Sequence, residues 1–154
     1  MPAPTPDPVI LGSDHAGFEL KEKVKKALAR KGIPVEDVGT HSTESVDYTD
    51  FAHRVAEAVG SGSFRRGILV CGSGIGVSMA ANRHAGVRAA VAYDEETARL
   101  SREHNDANVL ALGGRTLDHG LAERILDIWL ETSFAGGRHE RRIEKIELPE
   151  NEPR

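Results

Sequence analysis

Five short apolar runs, each followed by polar or helix-patterned chain, constrain this sequence more than any other feature. The runs are VILGS (9–13), IPVEDVG (33–39), GILVC (67–71), VRAAVAYD (87–94) and NVLALGG (108–114). After the first comes GFELKEKVKKALARKG (17–32), where Leu20, Val24 and Leu28 recur every fourth position with lysines between them and Gly32 supplies a stop. A polar loop (40–50) leads into a helix with Phe51, Ala52, Val55, Ala56 and Val59 on one face. IGVSMAAN (75–82) reads as a short helix, and Asp94 is placed to cap EETARLSREH (95–104). LDHGLAERILDIWLET (117–132) is expected to bury Leu121, Ile125, Ile128 and Trp129, and a shorter helix is expected within 136–148. No proline falls between Pro34, at the start of its strand, and Pro149.

Strand–helix alternation of this kind means parallel strands joined by crossover helices on both faces. The expected fold is α/β: a three-layer α/β/α sandwich around a five-stranded, parallel, Rossmann-like sheet. A chain of 154 residues supports one such domain, here 9–148, with a disordered leader (1–8) and a flexible tail (149–154). Parallel sheets bind ligands beyond the carboxyl ends of their strands. Three informative stretches fall there: GSDHAG after the first strand, CGSGIG after the third and LGGR after the fifth.

Composition removes several function classes. A net charge of -4 offers no broad basic field for nucleic acid, so any anion site must be a local cluster. A single cysteine cannot form an internal disulfide, and no apolar stretch approaches the roughly 20 residues that cross a bilayer. The opening MPAPTPDP lacks the basic and apolar regions of a signal peptide, so a cytoplasmic location is expected.

The glycine loop does not match the common nucleotide motifs. G-x-G-x-x-G ends on Val77 if read from Gly72 and on Met79 if read from Gly74; GSDHAGF has P-loop glycine spacing but Phe18 in place of lysine. A nucleophile elbow would need glycine at Cys71, and the seven histidines show no metal-ligand pairing. What remains is a strand, Cys71, a loop with glycines at 72, 74 and 76, and a helix. Such a loop turns backbone N–H groups inward, and the helix start adds about half a positive charge. That environment suits an oxyanion or a phosphate and favours a thiolate. From position alone, Cys71 is equally readable as a small core hydrophobe.

GSDHAGFELK, DVGT, DYTDFA, VCGSGIGVSMAANR, GVRAAV, SREHNDANVLALGGR and GGRHERRI, in this order over residues 9–146, resemble the ribose-5-phosphate isomerase B family, which also includes galactose-6-phosphate isomerase subunits. The resemblance implies an aldose–ketose isomerase of phosphorylated sugars, working through a cis-enediolate without metal or cofactor. It implies Cys71 as the base between C2 and C1, His104 as the acid/base that opens the sugar ring, and Ser73, where relatives often carry threonine, as an aid to proton movement at the oxygens. Members that use a glutamate instead carry it a few residues downstream, where Val77 and Ser78 stand here. Asp14, His15, Tyr48, Gly72, Ser73, Gly74, Ile75, Gly76, Asn105, Arg115, Arg138 and Arg142 match sugar- and phosphate-binding positions. The family also implies a homodimer, or a tetramer, with active sites shared between chains.

The residues support that chemistry on their own terms. Enolisation needs a base beside preorganised donors, and ring opening needs a group that both takes and gives a proton near neutrality, as histidine does. Each residue also has a plainer reading. His104 ends a helix, where a cation favours the macrodipole. Asp14 can cap the following helix, and Tyr48 can be packing. Arg138 and Arg142, four apart, share a helical face that suits a phosphate or simply water. Arg115 directly follows a strand; Arg141, His41, His53, His84 and His119 are assigned to loops and surfaces. Isomerisation of a four- or six-carbon sugar phosphate and non-catalytic sensing of a sugar phosphate stand as alternatives; the loop THSTES (40–45) is expected to shape the far end of the pocket.

Overall fold

A computed structural model describes residues 4–149. The outer parts of the expected leader and tail, 1–3 and 150–154, lie outside the described residues. Residues 4–8 are exposed and without regular structure, although the Asp7 carboxylate accepts a hydrogen bond from Arg65 at 2.8 Å.

The elements follow the expected order: β1 (Val9–Ser13), α1 (Phe18–Arg30), β2 (Val35–Asp37), α2 (Tyr48–Gly60), β3 (Arg66–Cys71), α3 (Ile75–Ala81), β4 (Ala89–Val91), α4 (Glu95–Glu103), β5 (Val109–Gly113), α5 (His119–Glu131) and α6 (Arg138–Glu144). The strands form one parallel sheet in the order β2-β1-β3-β5-β4. Successive side chains on a strand point to opposite faces. Val9, Leu11, Ile68 and Val70 therefore enter one core with α1, α4 and α5, while Ile10, Leu69 and Cys71 enter the other with α2 and α3. Strand order reverses at the β1/β3 boundary, which opens the crevice where such sheets take ligands.

Three expectations are corrected at the helix level. α2 begins at Tyr48, three residues earlier than expected, because its first turn carries Tyr48, Thr49 and Asp50 and so lacks the apolar signal of the turns that follow. The buried stripe of α5 is Ala122, Ile125, Leu126 and Trp129; Leu121 and Ile128 flank it and are only half-buried. The i, i+3, i+4, i+7 set centres on alanine, whose small side chain gives a weak sequence signal. His119 opens α5 rather than lying in a loop, with Nδ1 2.8 Å from Lys23 Nζ.

Lys21, one of the lysines between the apolar positions of α1, is fully buried. It pairs with Asp37 at the end of β2, which also accepts a hydrogen bond from Lys25 at 2.9 Å and the Gly39 N–H at 2.9 Å. Burial pushes the Asp37 carboxyl up, but the hydrogen bonds from Lys21, Lys25 and Gly39 outweigh it and hold the group below its ordinary value of 3.8. A carboxyl depressed in the folded state adds stability that is present above the unfolded value and lost as pH falls through the folded one. Removing one partner of a buried pair costs about 3–5 kcal/mol because the other charge is stranded. Lys21 keeps the Glu22 carboxylate at 3.1 Å, so Asp37→Asn is expected to lower urea-unfolding stability at neutral pH by less than that full amount. It is also expected to flatten the loss of stability that the natural chain shows below pH 3.8; a parallel acid limb in both proteins would contradict this role.

Candidate active site

The thiol is set by the end of β3. Cys71 is paired in register with Gly113 of β5 and is 5% exposed, and its carbonyl accepts the Gly114 N–H at 2.8 Å. Sγ accepts the Gly74 N–H at 3.2 Å. Gly74 is the N-cap of α3 with φ 80°, a left-handed conformation that disfavours a side chain, and a Cβ there would lie 3.0 Å from the Leu112 backbone. The Ile75 N–H is turned onto Ser73 Oγ at 3.2 Å. The sulfur thus faces a tight backbone turn, and both plain readings of Cys71 coexist: it packs in a core and also carries a donor directed at sulfur.

The other carboxyl-end residues surround this turn. Asp14, buried after β1, accepts the Gly17 N–H at 3.0 Å; it does not cap α1, whose N-cap is Gly17 with no side-chain hydrogen bond. His15 is half-buried and its Nδ1 accepts the Val46 N–H at 3.1 Å. In neutral imidazole that contact places the ring proton on Nε2, ready to donate. It also ties the 40–47 loop to the end of β1. The Tyr48 ring lies over Gly76, where a Cβ would come within 2.7 Å of it; glycine is needed for this approach. Arg115 is exposed, its N–H donates to the Gly72 carbonyl at 3.0 Å, and its stem runs beside Gly72. Asp14, His15, Tyr48, Cys71, the 72–76 loop and Arg115 are therefore brought together at one end of the sheet.

The remaining expected residues are not. The Gly67 N–H at the start of β3 donates to the Asn108 carbonyl at 2.9 Å, and β3 advances about 13 Å from there to Cys71 at roughly 3.3 Å per residue. α4 runs back from the carboxyl edge, as a crossover between parallel strands must. His104, its C-cap, and Asn105 consequently lie beyond the opposite, amino end. The Ala135 N–H donates to the Glu103 carbonyl at 3.0 Å, which brings the start of α6 to the same end. Arg138 and Arg142 stand there exposed, beside His104. One chain thus divides the expected site into two groups separated by the length of the sheet.

One neighbour was not foreseen. His139 stacks on His104 with ring centroids 4.3 Å apart and planes at 16°. Burial, then the charges of His104, Arg138 and Arg142, push His139 below its ordinary value. Its position between Arg138 and Arg142 in GGRHERR was the available signal, but 34 residues of intervening chain hid the stack. Exposed Ile75 (52%) and Met79 (68%) lie one turn apart on α3, immediately after the cysteine loop. Among the described residues no group of three or more His, Cys, Asp or Glu side chains is arranged to hold a metal ion.

The family model described as Ribose/Galactose Isomerase matches residues 9–146. Ribose-5-phosphate isomerase B of Escherichia coli K12 is 47% identical over 138 residues, covering 90% of this chain and 93% of that protein. The crystal structure of a ribose 5-phosphate isomerase from Thermotoga maritima superposes with a TM-score of 0.89 at 54% identity, covering 91% of this chain and 97% of the other. Ribose-5-phosphate isomerase B of Mycoplasma genitalium, solved with ribulose-5-phosphate bound, gives a TM-score of 0.86 at 44% identity over 90% of this chain and 92% of that one. With the match spanning all five strands and both groups of candidate residues, the chain belongs to the ribose/galactose isomerase family.

Proposed function

We infer that this protein is an aldose–ketose isomerase that interconverts D-ribose 5-phosphate and D-ribulose 5-phosphate. Family membership supplies the reaction class, and the observation that carries the reading is the Cys71 sulfur held against the Gly74 N–H at a topological switch point. In the open-chain aldose the Cys71 thiolate takes the C2 proton, and the electron pair moves onto O1. Backbone N–H groups of the 72–76 loop other than those of Gly74 and Ile75, which already bind Sγ and Ser73 Oγ, stabilise the resulting enediolate; one such preorganised donor is commonly worth ~10²–10³ in rate. The thiol returns the proton to C1 while the O2 proton passes to O1, with Ser73 beside these oxygens, and ketose results. C1 and C2 are adjacent on one face of a planar intermediate, so a single sulfur serves both.

Ring opening falls to His104, which takes the proton from the anomeric hydroxyl and delivers one to the ring oxygen. His104 is at the wrong end of its own chain for this, so the active site is shared: His104, Asn105, Arg138 and Arg142 of a second copy complete the pocket around Cys71. Exposed Ile75 and Met79 beside the cysteine loop support a homodimer, since apolar side chains flanking a site are what a second copy would cover. The two arginines, four apart on α6, present guanidinium forks to the phosphate, and Arg115 and the donating Nε2 of His15 offer further contacts to the anionic sugar. No helix among the described residues is long and apolar enough to cross a membrane. A free-thiol base works in a reducing compartment, which supports a cytoplasmic location. The family description also names galactose, so a six-carbon phosphate is the second reading; specificity constants over aldose phosphates of four to six carbons distinguish them.

Cys71→Ala is expected to lower the conversion of ribose 5-phosphate by about 10²–10⁴ with an unchanged unfolding midpoint. Undiminished turnover in a folded variant would refute the assigned base. Prolonged treatment with a chelator is expected to leave the rate unaltered, and a strict metal requirement would overturn the proposed mechanism. Mixing unfolded Cys71→Ala and His104→Ala chains and refolding them together is expected to restore about a quarter of natural activity, from the one intact site of each mixed dimer. Two chains that stay inactive after verified mixing would place both groups within one chain's site.

A further inference from the structure

At the amino end of the sheet, away from the cysteine, four arginines converge on a cavity of about 280 Å³: Arg65, Arg66, Arg88 and Arg102, with Asp106 and Asn108 completing its polar wall. Ordinary ion pairing does not balance them. Arg65 is paired with Asp7 at 2.8 Å. Arg88 and Arg102 share the carboxylate of Asp106, at 3.5 and 2.8 Å. Their other contacts are neutral carbonyls: Asn105 and Asp106 for Arg88, Ala107 and Thr132 for Arg102. With Asp7 and Asp106 as the only carboxylates in these pairs, the cluster keeps two positive charges in excess.

Arg66 sharpens the point. It begins β3, is half-buried, and among the described residues its guanidinium has no hydrogen-bond or salt-bridge partner. Burial pushes it below the ordinary arginine value; Asp7 opposes that, and Arg65 and Arg102 add to it. The strand does not require arginine here, since residue 66 enters the sheet only through its backbone register with Val9. A half-buried, unpaired cation among like charges is unfavourable for the empty fold and favourable for an anion. Forked guanidinium groups match phosphate oxygens. The cavity is at the small end of the range for ligand pockets, about 300–1,000 Å³, so it suits a compact polyanion rather than a whole cofactor.

We propose that this arginine-lined cavity is a second anion site, distinct from the isomerase site, that takes a diphosphate group, either as free pyrophosphate or as the end of a nucleoside diphosphate. The cavity lies at the opposite end of the sheet from Cys71 of its own chain and shares no lining residue with the proposed isomerase site. Its test is calorimetric titration of the full-length protein with inorganic pyrophosphate and, separately, with ADP. The Arg138→Ala/Arg142→Ala double variant removes the arginines proposed for the sugar phosphate, so the pyrophosphate binding it keeps is expected to be that of the arginine-lined cavity. In that background Arg66→Ala is expected to weaken binding at least about tenfold, the loss of one charge-assisted contact. Arg66→Met, which keeps the stem, guards against a packing effect and should weaken binding equally. Tighter binding of pyrophosphate than of ADP assigns the free ion, and the reverse assigns the nucleotide end. No binding of either by the natural chain, or binding that survives both Arg66 substitutions, overturns the proposal.

Discussion

The chemistry proposed for this chain depends on the burial of β3 between two parallel neighbours. Ile68, Leu69 and Val70 are fully buried, and β1 and β5 hydrogen-bond the strand along both sides. A strand confined in this way cannot slip in register without breaking its ladders to both neighbours and exchanging the side chains of the two cores it feeds. The position of residue 71 is therefore fixed by the whole core rather than by local contacts. The turn that follows inherits that rigidity: the Gly114 N–H binds the Cys71 carbonyl, Arg115 binds Gly72, and Gly74 packs on the Leu112 backbone. Preorganised amides are useful in catalysis because they need no rearrangement as charge develops, and here the core supplies the preorganisation.

The edges of the sheet are less constrained and carry the charged features. β2 ends on Asp37, which holds buried Lys21 and, through the Gly39 N–H, the start of the 39–46 loop. That loop reaches His15 through Val46. A buried ion pair far from the sulfur thus contributes to the placement of a proposed ligand-binding imidazole. At the other edge β4 is three residues long and half-buried, and the loop after α4 is held by Arg88 and Arg102 through its carbonyls. His104 and Asn105 belong to that loop.

How much of this could be read from the residues varies with the strength of the local signal. β1 runs over the expected Val9–Ser13, and β3 and β5 lie within a residue of expectation at either end, because their apolar runs stop sharply at polar residues or glycine. β2 and β4 are shorter than their runs because edge strands have one partner, and pairing rather than hydropathy ends them. Asp94 caps α4 through the Thr97 N–H at 2.7 Å, as its sequence position indicates. Lys21 was not legible as buried: a lysine between leucines reads as a solvated face until Asp37 is brought to it by the fold. The proposed site residues were selected by motif, whereas their division between the two ends of the sheet was not legible, because motif order carries no information about which end of a crossover helix a residue occupies. The His104–His139 stack was hidden for the same reason.

That division has a consequence for how such a protein can diversify. On the shared-site reading, each chain lends one half of its machinery to a neighbour and keeps the other half for itself. After duplication of the coding sequence, one copy could abandon its sulfur and the other its imidazole, each drift tolerated because the complementary half survives elsewhere. An obligate pair of unlike chains, with one working pocket instead of two and freedom to reshape the silent one, is the natural end of that path.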